Sequence, residues 1–289
     1  MTKDTTLRGV RVLSLCLNLP GPAALMRLTQ MGARCTKINP PSGDPMQHFS
    51  ADAYAQLHQG VLEINCDLKS LQGQKTLHRA LAKTDVLMTS FRPSALRKLG
   101  LGWRVLHAAY PRLSCVSVVG EPGALAEVPG HDLTYQAKVN LVPGMALPSS
   151  LFADMGGALM ASEAAVKAVF QLRAKGRGSF HEVALSEAAQ WLALPRLWGL
   201  TLPQGPVGGA HAGYKIYACK NGRVAVAALE PHFAKALCDA AGIPMKDSSS
   251  LLKASTHLAM SRFFIGQTRQ QLERLALARD IPMMTMPMR

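Results

Sequence analysis

The sequence predicts an α/β fold in which a large domain with a parallel sheet is followed by a small mixed α/β domain. Residues 7–38 carry the pattern strand, loop, helix, strand, which predicts a βαβ unit and therefore a parallel sheet with a right-handed crossover. The same alternation recurs up to residue 185. A segment rich in proline and glycine follows at 203–209, and after it a β-hairpin pattern replaces the alternation of strands and helices.

Each predicted strand of the large domain is a short apolar or β-branched run, and helix-forming segments separate most of the runs. The strands are expected at residues 7–15, 33–38, 62–66, 85–90, 113–119 and 180–185. Ligands bind outside the carboxyl ends of the strands in open sheets of this kind, so the loops at those ends are expected to line one cleft. The loop after the first strand lacks the GxGxxG pattern, which disfavours an NAD enzyme.

The domain boundary is predicted in the proline- and glycine-rich segment, so that the large domain covers residues 1–202 and the small domain residues 203–289. In the small domain, Asn221-Gly222 lies between two β-rich runs, which is a hairpin signal. A helix is expected to open at Pro231, and Thr268 begins a capping-box pattern for a last helix.

The composition limits the classes of partner. The formal net charge is +14, but the basic residues are dispersed, which argues against nucleic acid. A nucleotide-bearing small molecule, or simply a basic surface, would account for the charge. No apolar run approaches the roughly 20 residues that span a bilayer, and the first residues do not resemble a signal peptide, so no membrane contact is expected. The six scattered cysteines indicate reduced thiols in a cytoplasmic protein and no metal site.

Two residues are candidates for chemistry. Asp154 precedes a pair of glycines and a helix-forming run, so it is expected at a helix N-terminus that stabilises its anion. His131 lies in a turn flanked by glycine and proline, and with Asp154 it would form an acid/base pair acting on a bound acyl group. Taken alone, such an aspartate is more often a helix cap, and such a histidine is more often a surface residue.

A set of short segments, in order along the chain, strengthens this hypothesis. The segments are Leu7-Arg8-Gly9-Val10-Arg11-Val12, Pro20-Gly21-Pro22, Gly43-Asp44-Pro45, Asp67-Leu68-Lys69, Asp85-Val86-Leu87, Arg92-Pro93, Leu99-Gly100-Leu101-Gly102, Gly130-His131-Asp132, Ala153-Asp154-Met155-Gly156-Gly157, Lys175-Gly176-Arg177-Gly178 and Ala228-Leu229-Glu230-Pro231. Together they resemble the class III CoA-transferase family, which includes formyl-CoA transferase and the 2-methylacyl-CoA racemases, and the resemblance is closer to the racemase branch.

The resemblance implies a Rossmann-like large domain, a small mixed α/β domain and two subunits interlocked like chain links. It also implies coenzyme A as part of an acyl-CoA substrate, bound in a cleft between subunits, with no metal. The partner is then a second copy, giving a homodimer, or a homologue, giving a heteromer.

The resemblance also implies roles for individual residues. In the transferases the aspartate matching Asp154 attacks the acyl-CoA. In the racemases it works with a histidine, matching His131, and an acidic residue matching Glu230 supports that histidine from the other subunit. A 1,1-proton transfer needs one group on each face of the carbon, so His131 favours the racemase hypothesis. The transferase, and a catalytically weak homologue that acts as a partner subunit, are the alternatives.

Departures from the family concern the CoA-binding side. Family members often carry glutamate where this chain has Asn39, and a basic residue in the stretch occupied here by residues 58–62. The binding of CoA is therefore assigned to Lys37, Arg92, Lys98 and Tyr135. The chain also lacks the usual segment that returns to the large domain after the small one.

Overall fold

The structure is a computed structural model that describes residues 4–288, and it divides into two compact units with the boundary between Ala193 and Leu194. The predicted boundary after residue 202 falls later in the chain. The proline- and glycine-rich segment itself forms the tight turns of Pro206–Ala210, inside the second unit.

A six-stranded parallel sheet forms the centre of the first unit, as the sequence predicted. Its strands are β1 (Arg11–Ser14), β2 (Arg34–Asn39), β3 (Leu62–Asn65), β4 (Val86–Thr89), β5 (Ser114–Val119) and β6 (Phe180–Ala184). They lie in the order β3-β2-β1-β4-β5-β6, which is the strand order of the doubly wound nucleotide-binding folds. Every residue of β4 and β5 is buried, because helices cover both faces of such a sheet.

The helices of the first unit connect these strands. They are α1 (Pro20–Gln30), α2 (Met46–Phe49), α3 (Ala51–Leu57), α4 (Leu71–Leu81), α5 (Pro93–Lys98), α6 (Trp103–Ala109), α7 (Asp132–Lys138), α8 (Phe152–Lys175) and α9 (Leu185–Leu192). Serine side chains cap two of them: Ser50 Oγ accepts a hydrogen bond at the start of α3, and Ser70 Oγ does so at the start of α4.

The start of α8 differs from the prediction, which placed the helix-forming run at 158–174. The helix begins at Phe152 and therefore includes the two glycines. A Cβ at Gly157 would clash with the side chain of Leu185, and one at Gly156 would lie 3.0 Å from Leu192 Cδ1. The glycines thus let α9 pack closely on α8, and this contact outweighs their low helix propensity.

The second unit contains an antiparallel sheet of β7 (Tyr214–Cys219), β8 (Gly222–Ala227) and β9 (Met283–Met286). Its helices are α10 (Leu194–Leu197), α11 (Pro231–Ala240), α12 (Ala254–Ile265) and α13 (Arg269–Arg279). The predicted hairpin and the predicted capping box are both confirmed: Thr268 Oγ1 accepts from the Gln271 N–H at 3.3 Å, and Gln271 Oε1 accepts from the Thr268 N–H at 2.8 Å.

All six cysteines lie among the described residues and are free thiols, and five of them are buried. Within residues 4–288, no helix is both long and apolar enough to traverse a bilayer.

Candidate active site

One buried side chain, that of Asp132, joins the elements that carry His131 and Asp154. Its Oδ1 accepts a hydrogen bond from the backbone N–H of Asp154 at 3.1 Å, and its Oδ2 accepts one from Gln136 Nε2 at 2.5 Å. Asp132 is 5% exposed and Gln136 is fully buried. Because His131 directly precedes Asp132, this link brings the start of α7, with His131, to the start of α8, with Asp154.

His131 is held by its backbone and presents its ring to solvent. It is the N-cap residue of α7, and Thr134 Oγ1 both accepts from its N–H at 3.1 Å and donates to its carbonyl oxygen at 2.7 Å. The residue is exposed, and within the described part of the chain its imidazole forms no hydrogen bond. The ring is therefore free to meet a substrate.

Asp154 occupies the third position of α8 and is partly buried. Burial, and then the nearby negative charge of Asp132, raise its pKa from 3.8 to about 7. The expectation that the helix N-terminus would stabilise the Asp154 anion is therefore wrong. The physical reason is that burial, and then the charge of Asp132, disfavour the Asp154 anion.

The raised pKa makes a prediction about stability. A carboxyl whose pKa is higher in the folded than in the unfolded protein stabilises the fold at low pH, and this stabilisation is lost as the pH rises through about 7. The change from 3.8 to about 7 corresponds to at most about 4 kcal/mol, and partial solvent access reduces it. We expect Asp154→Asn to increase the free energy of unfolding by about 2 kcal/mol at pH 8 and to leave it unchanged below pH 4.

Urea unfolding of the variant and the original chain at both pH values checks this. Asp280→Asn, which neutralises an exposed aspartate, is the control for the loss of one charge. A similar change in stability at both pH values would contradict the prediction.

Tyr135 lies beneath the His131 turn and is only 3% exposed. A Cβ at Gly120 or at Gly130 would clash with its phenol, so the ring needs both glycines in order to fit. Its neighbours in the core are Ala153 and Ala189. The structure therefore makes Tyr135 a support of the turn, and the CoA contact expected from the sequence is not open to it because the ring is covered.

Lys37 is also placed differently from the expectation that it holds a CoA phosphate. The residue is completely buried in β2, where its ammonium pairs with Asp44 and lies 2.8 Å from His58 Nε2. Asp44 Oδ1 in turn accepts from the backbone N–H groups of Asn18 at 3.0 Å and Met46 at 2.9 Å. The ammonium group of Lys37 is thus paired inside the first unit, where the pair with Asp44 fixes two loops, and it is not exposed to a ligand.

A cavity of about 440 Å³ lies at the carboxyl ends of β2, β3 and β4, where the fold predicts a ligand. It is lined by Ile38, Pro40, Pro41, Cys66, Asp67, Leu68, Lys69, Phe91, Ala95, Lys98 and Leu99. Lys98 is exposed and lines it, as does Lys69, which was not assigned a binding role from the sequence although the Asp67-Leu68-Lys69 segment was noted. Arg92, the exposed N-cap residue of α5, adjoins Phe91 but does not line the cavity.

Glu230 belongs to the second unit, where it is exposed and precedes Pro231 at the start of α11. Its support of His131 stays a prediction. Within residues 4–288, no three His, Cys, Asp or Glu side chains are grouped so as to bind a metal ion.

Comparisons with known proteins agree on one family. The family model described as CoA-transferase family III matches residues 7–286. The α-methylacyl-CoA racemase of Mus musculus is 30% identical over 276 residues, which cover 89% of this chain and 70% of the racemase. The cinnamoyl-CoA:phenyllactate CoA-transferase of Clostridium sporogenes is 29% identical over 63% of this chain and 50% of its own length. This chain is thus similar to about half of that transferase.

Among solved structures, a hypothetical protein from Mycobacterium tuberculosis superposes with a TM-score of 0.85 at 22% identity. The match covers 97% of this chain and 85% of the other. At that identity the similarity supports the fold alone.

Proposed function

Because the chain belongs to CoA-transferase family III, we propose that it acts on acyl-CoA thioesters and transfers a proton at the carbon α to the thioester, as in 2-methylacyl-CoA racemases. The observation that carries this proposal is the hydrogen bond from the Asp154 amide to Asp132, next to His131. This bond supports a site that combines the imidazole of His131 with the carboxyl of Asp154.

The proposed reaction uses the two groups on opposite faces of the α-carbon. One group takes the α-proton, and the electron pair of the broken C–H bond moves to the thioester carbonyl to give an enolate. The other group then donates a proton to the opposite face, and the carbonyl re-forms with inverted configuration. No atom is gained or lost overall, and the two residues have exchanged protonation states.

The electrostatics of Asp154 suit this role. A general acid or base works best when its pKa lies near the pH of operation, and the pKa of Asp154 is raised to about 7. The backbone N–H groups of Asp132 and Leu133, the first two residues of α7, have no acceptor within the helix and would bind the enolate oxygen.

The test is isotope exchange at the α-carbon. Incubation of a 2-methylacyl-CoA with the protein in D₂O should replace the α-hydrogen by deuterium and should interconvert the two configurations. A boiled sample controls for the slow exchange of the thioester itself. Absence of exchange with 2-methylacyl chains of different lengths would contradict the proposal.

A second candidate is a CoA-transferase in which Asp154 attacks the thioester carbonyl. The similarity to the Clostridium transferase supports it. The raised pKa of Asp154 argues against it, because a nucleophilic carboxylate must be ionised and about half of it would be protonated at pH 7. This candidate predicts a hydroxylamine-sensitive label on Asp154, and transfer activity that survives His131→Gln.

The cavity at the strand ends is the proposed site of the CoA nucleotide. Its apolar wall, which includes Phe91, suits a purine, and the ammonium groups of Lys69 and Lys98 suit phosphates. We expect the double variant Lys69→Ala/Lys98→Ala to raise the calorimetric Kd for CoA by about tenfold or more, since each charged hydrogen bond contributes about 1.5 kcal/mol. Lys235→Ala, on an exposed helix of the second unit, is the matched control. An unchanged Kd in the double variant would remove the cavity from the proposal.

The proposal includes the interlocked assembly, in which Glu230 of one copy supports His131 of the other. A mass measurement by light scattering separates a homodimer from a monomer that requires a homologous partner. The same experiment bears on the third hypothesis, a catalytically weak partner subunit. That hypothesis fails if the isolated chain both binds CoA and catalyses exchange.

A further inference from the structure

A buried carboxylate at the site has no part in the proton transfer. Asp132 is 5% exposed, and burial of a charge is costly unless hydrogen bonds compensate for it. Each of its oxygens has one donor, the Asp154 amide at 3.1 Å and Gln136 Nε2 at 2.5 Å. Asp132 is also the first residue of α7 and accepts from the backbone N–H of the third residue of α8, so its carboxyl joins the starts of the two helices.

The orientation of Gln136 gives the second oxygen of Asp132 its hydrogen-bond donor. Gln136 Nε2 also donates to the carbonyl oxygen of Ser150 at 3.2 Å, and that oxygen can only accept. The amide group is therefore fixed with its donor side toward Asp132, as a carboxylate requires. The fully buried Gln136 Oε1 is left without a hydrogen-bond partner among the described residues, so this orientation is retained at some cost.

The other charged groups around Asp154 do not offset Asp132. On α7, Lys138 Nζ lies 2.9 Å from Glu121 Oε1, so Lys138 is paired with Glu121. On α9, Glu187 is exposed, and no ion pair within residues 4–288 includes Asp154.

The charge of Asp154 also acts on Tyr135. The pKa of Tyr135 is raised by burial and then by the charges of Glu121 and Asp154, with a smaller opposite effect from Arg92. The charge that raises the pKa of Asp154 itself is that of Asp132.

We propose that Asp132 is a positioning residue of the acid/base site: its carboxyl group fixes the start of α8, and its charge beside Asp154 makes Asp154 the protonated member of the resting pair with His131. The use of His131 rests on the proposed function. The coupling of Asp132 to Asp154 is a property of the free protein, and it can be measured without substrate.

The first measurement is a titration of the carboxyl carbons by NMR, with ¹³C-labelled aspartate in the complete chain. In the original protein, one carboxyl resonance, which disappears in Asp154→Asn, should titrate near pH 7. Titration of the Asp154 resonance near the ordinary aspartate value of about 4 would overturn the proposal, whatever happens to any variant.

The second measurement uses Asp132→Asn, which removes the charge but keeps an oxygen that can accept from the Asp154 amide. We expect the proton affinity of Asp154 to fall at least tenfold, so that its titration moves at least one pH unit lower. The pH dependence of isotope exchange should move in the same direction. Asp280→Asn should move neither curve.

The outcomes separate the two proposals. If Asp132→Asn lowers stability but leaves the Asp154 titration in place, Asp132 is only structural and the inference is wrong. If the titration moves but the original protein catalyses no exchange, the inference stands and the proposed function fails.

Discussion

Asp154→Asn and His131→Gln are each expected to reduce interconversion of the two configurations of a 2-methylacyl-CoA by about a thousandfold. Positioned general acids and bases contribute factors of about 10² to 10⁴, and inversion needs both groups in the same turnover. The raised pKa of Asp154 lets its carboxyl exchange protons near neutral pH, and His131 is exposed at the start of α7.

Exchange with solvent should respond differently from inversion. Each variant retains one of the two groups. It should therefore still exchange the α-hydrogen of the stereoisomer in which that hydrogen points toward the remaining group. The two variants should therefore prefer opposite configurations, which chiral chromatography combined with mass spectrometry can detect. Loss of inversion with the same preference in both variants would contradict a mechanism with one group on each face.

Stability serves as the control for the first prediction. Asp154→Asn should be more stable than the original chain at pH 8, so its loss of activity cannot be attributed to unfolding. Asp280→Asn should retain full activity. If His131→Gln retained the transfer of CoA from an acyl-CoA to another carboxylic acid, the transferase alternative would be favoured.

Lys37→Met is expected to lower the free energy of unfolding by about 3 to 5 kcal/mol, the usual cost of leaving one partner of a buried ion pair without the other. Asp44 keeps two backbone donors but loses its cation, in a place where it is fully buried. Urea unfolding at pH 7 measures the effect.

The matched control is Lys235→Met. Lys235 lies 2.6 Å from Asp239, but both side chains are exposed, so the loss should be below about 1 kcal/mol. Neutralising the partner in Lys37→Met/Asp44→Asn should recover part of the stability, because it removes the unpaired charge. Lys37→Met with full stability and weakened CoA binding would restore the phosphate role expected from the sequence.

The parallel sheet was predictable because buried strands have a strong local signal. The run at 113–119 is apolar or β-branched almost throughout, and β5 within it is buried at every position. The start of α8 was not predictable in the same way. Gly156 and Gly157 suggested a turn before the helix, whereas their small size serves a contact with α9 that lies more than 25 residues away in sequence.

At the candidate site, the sequence predicted His131 and Asp154 but not the residue that links them. The pKa of Asp154 depends on its burial and on the charge of Asp132, which belongs to another helix and accepts the Asp154 N–H. Lys37 was assigned to CoA because this chain departs from the family at the basic residues that usually bind it. In the structure, Lys37 instead contacts Asp44 and His58, which come from later segments.

The third strand of the second unit affects the order in which the protein can fold during synthesis. β9 pairs with β8, so Met283 lies beside Val226 although more than 50 residues separate them in the chain. The sheet of the first unit is complete once Ala184 has been made. During synthesis, the sheet of the first unit can therefore form early. The hairpin of β7 and β8 has an unpaired edge on β8 until Met286 has left the ribosome. Chaperones that bind nascent chains would meet that edge, and a stalled chain ending before Met283 should aggregate through it.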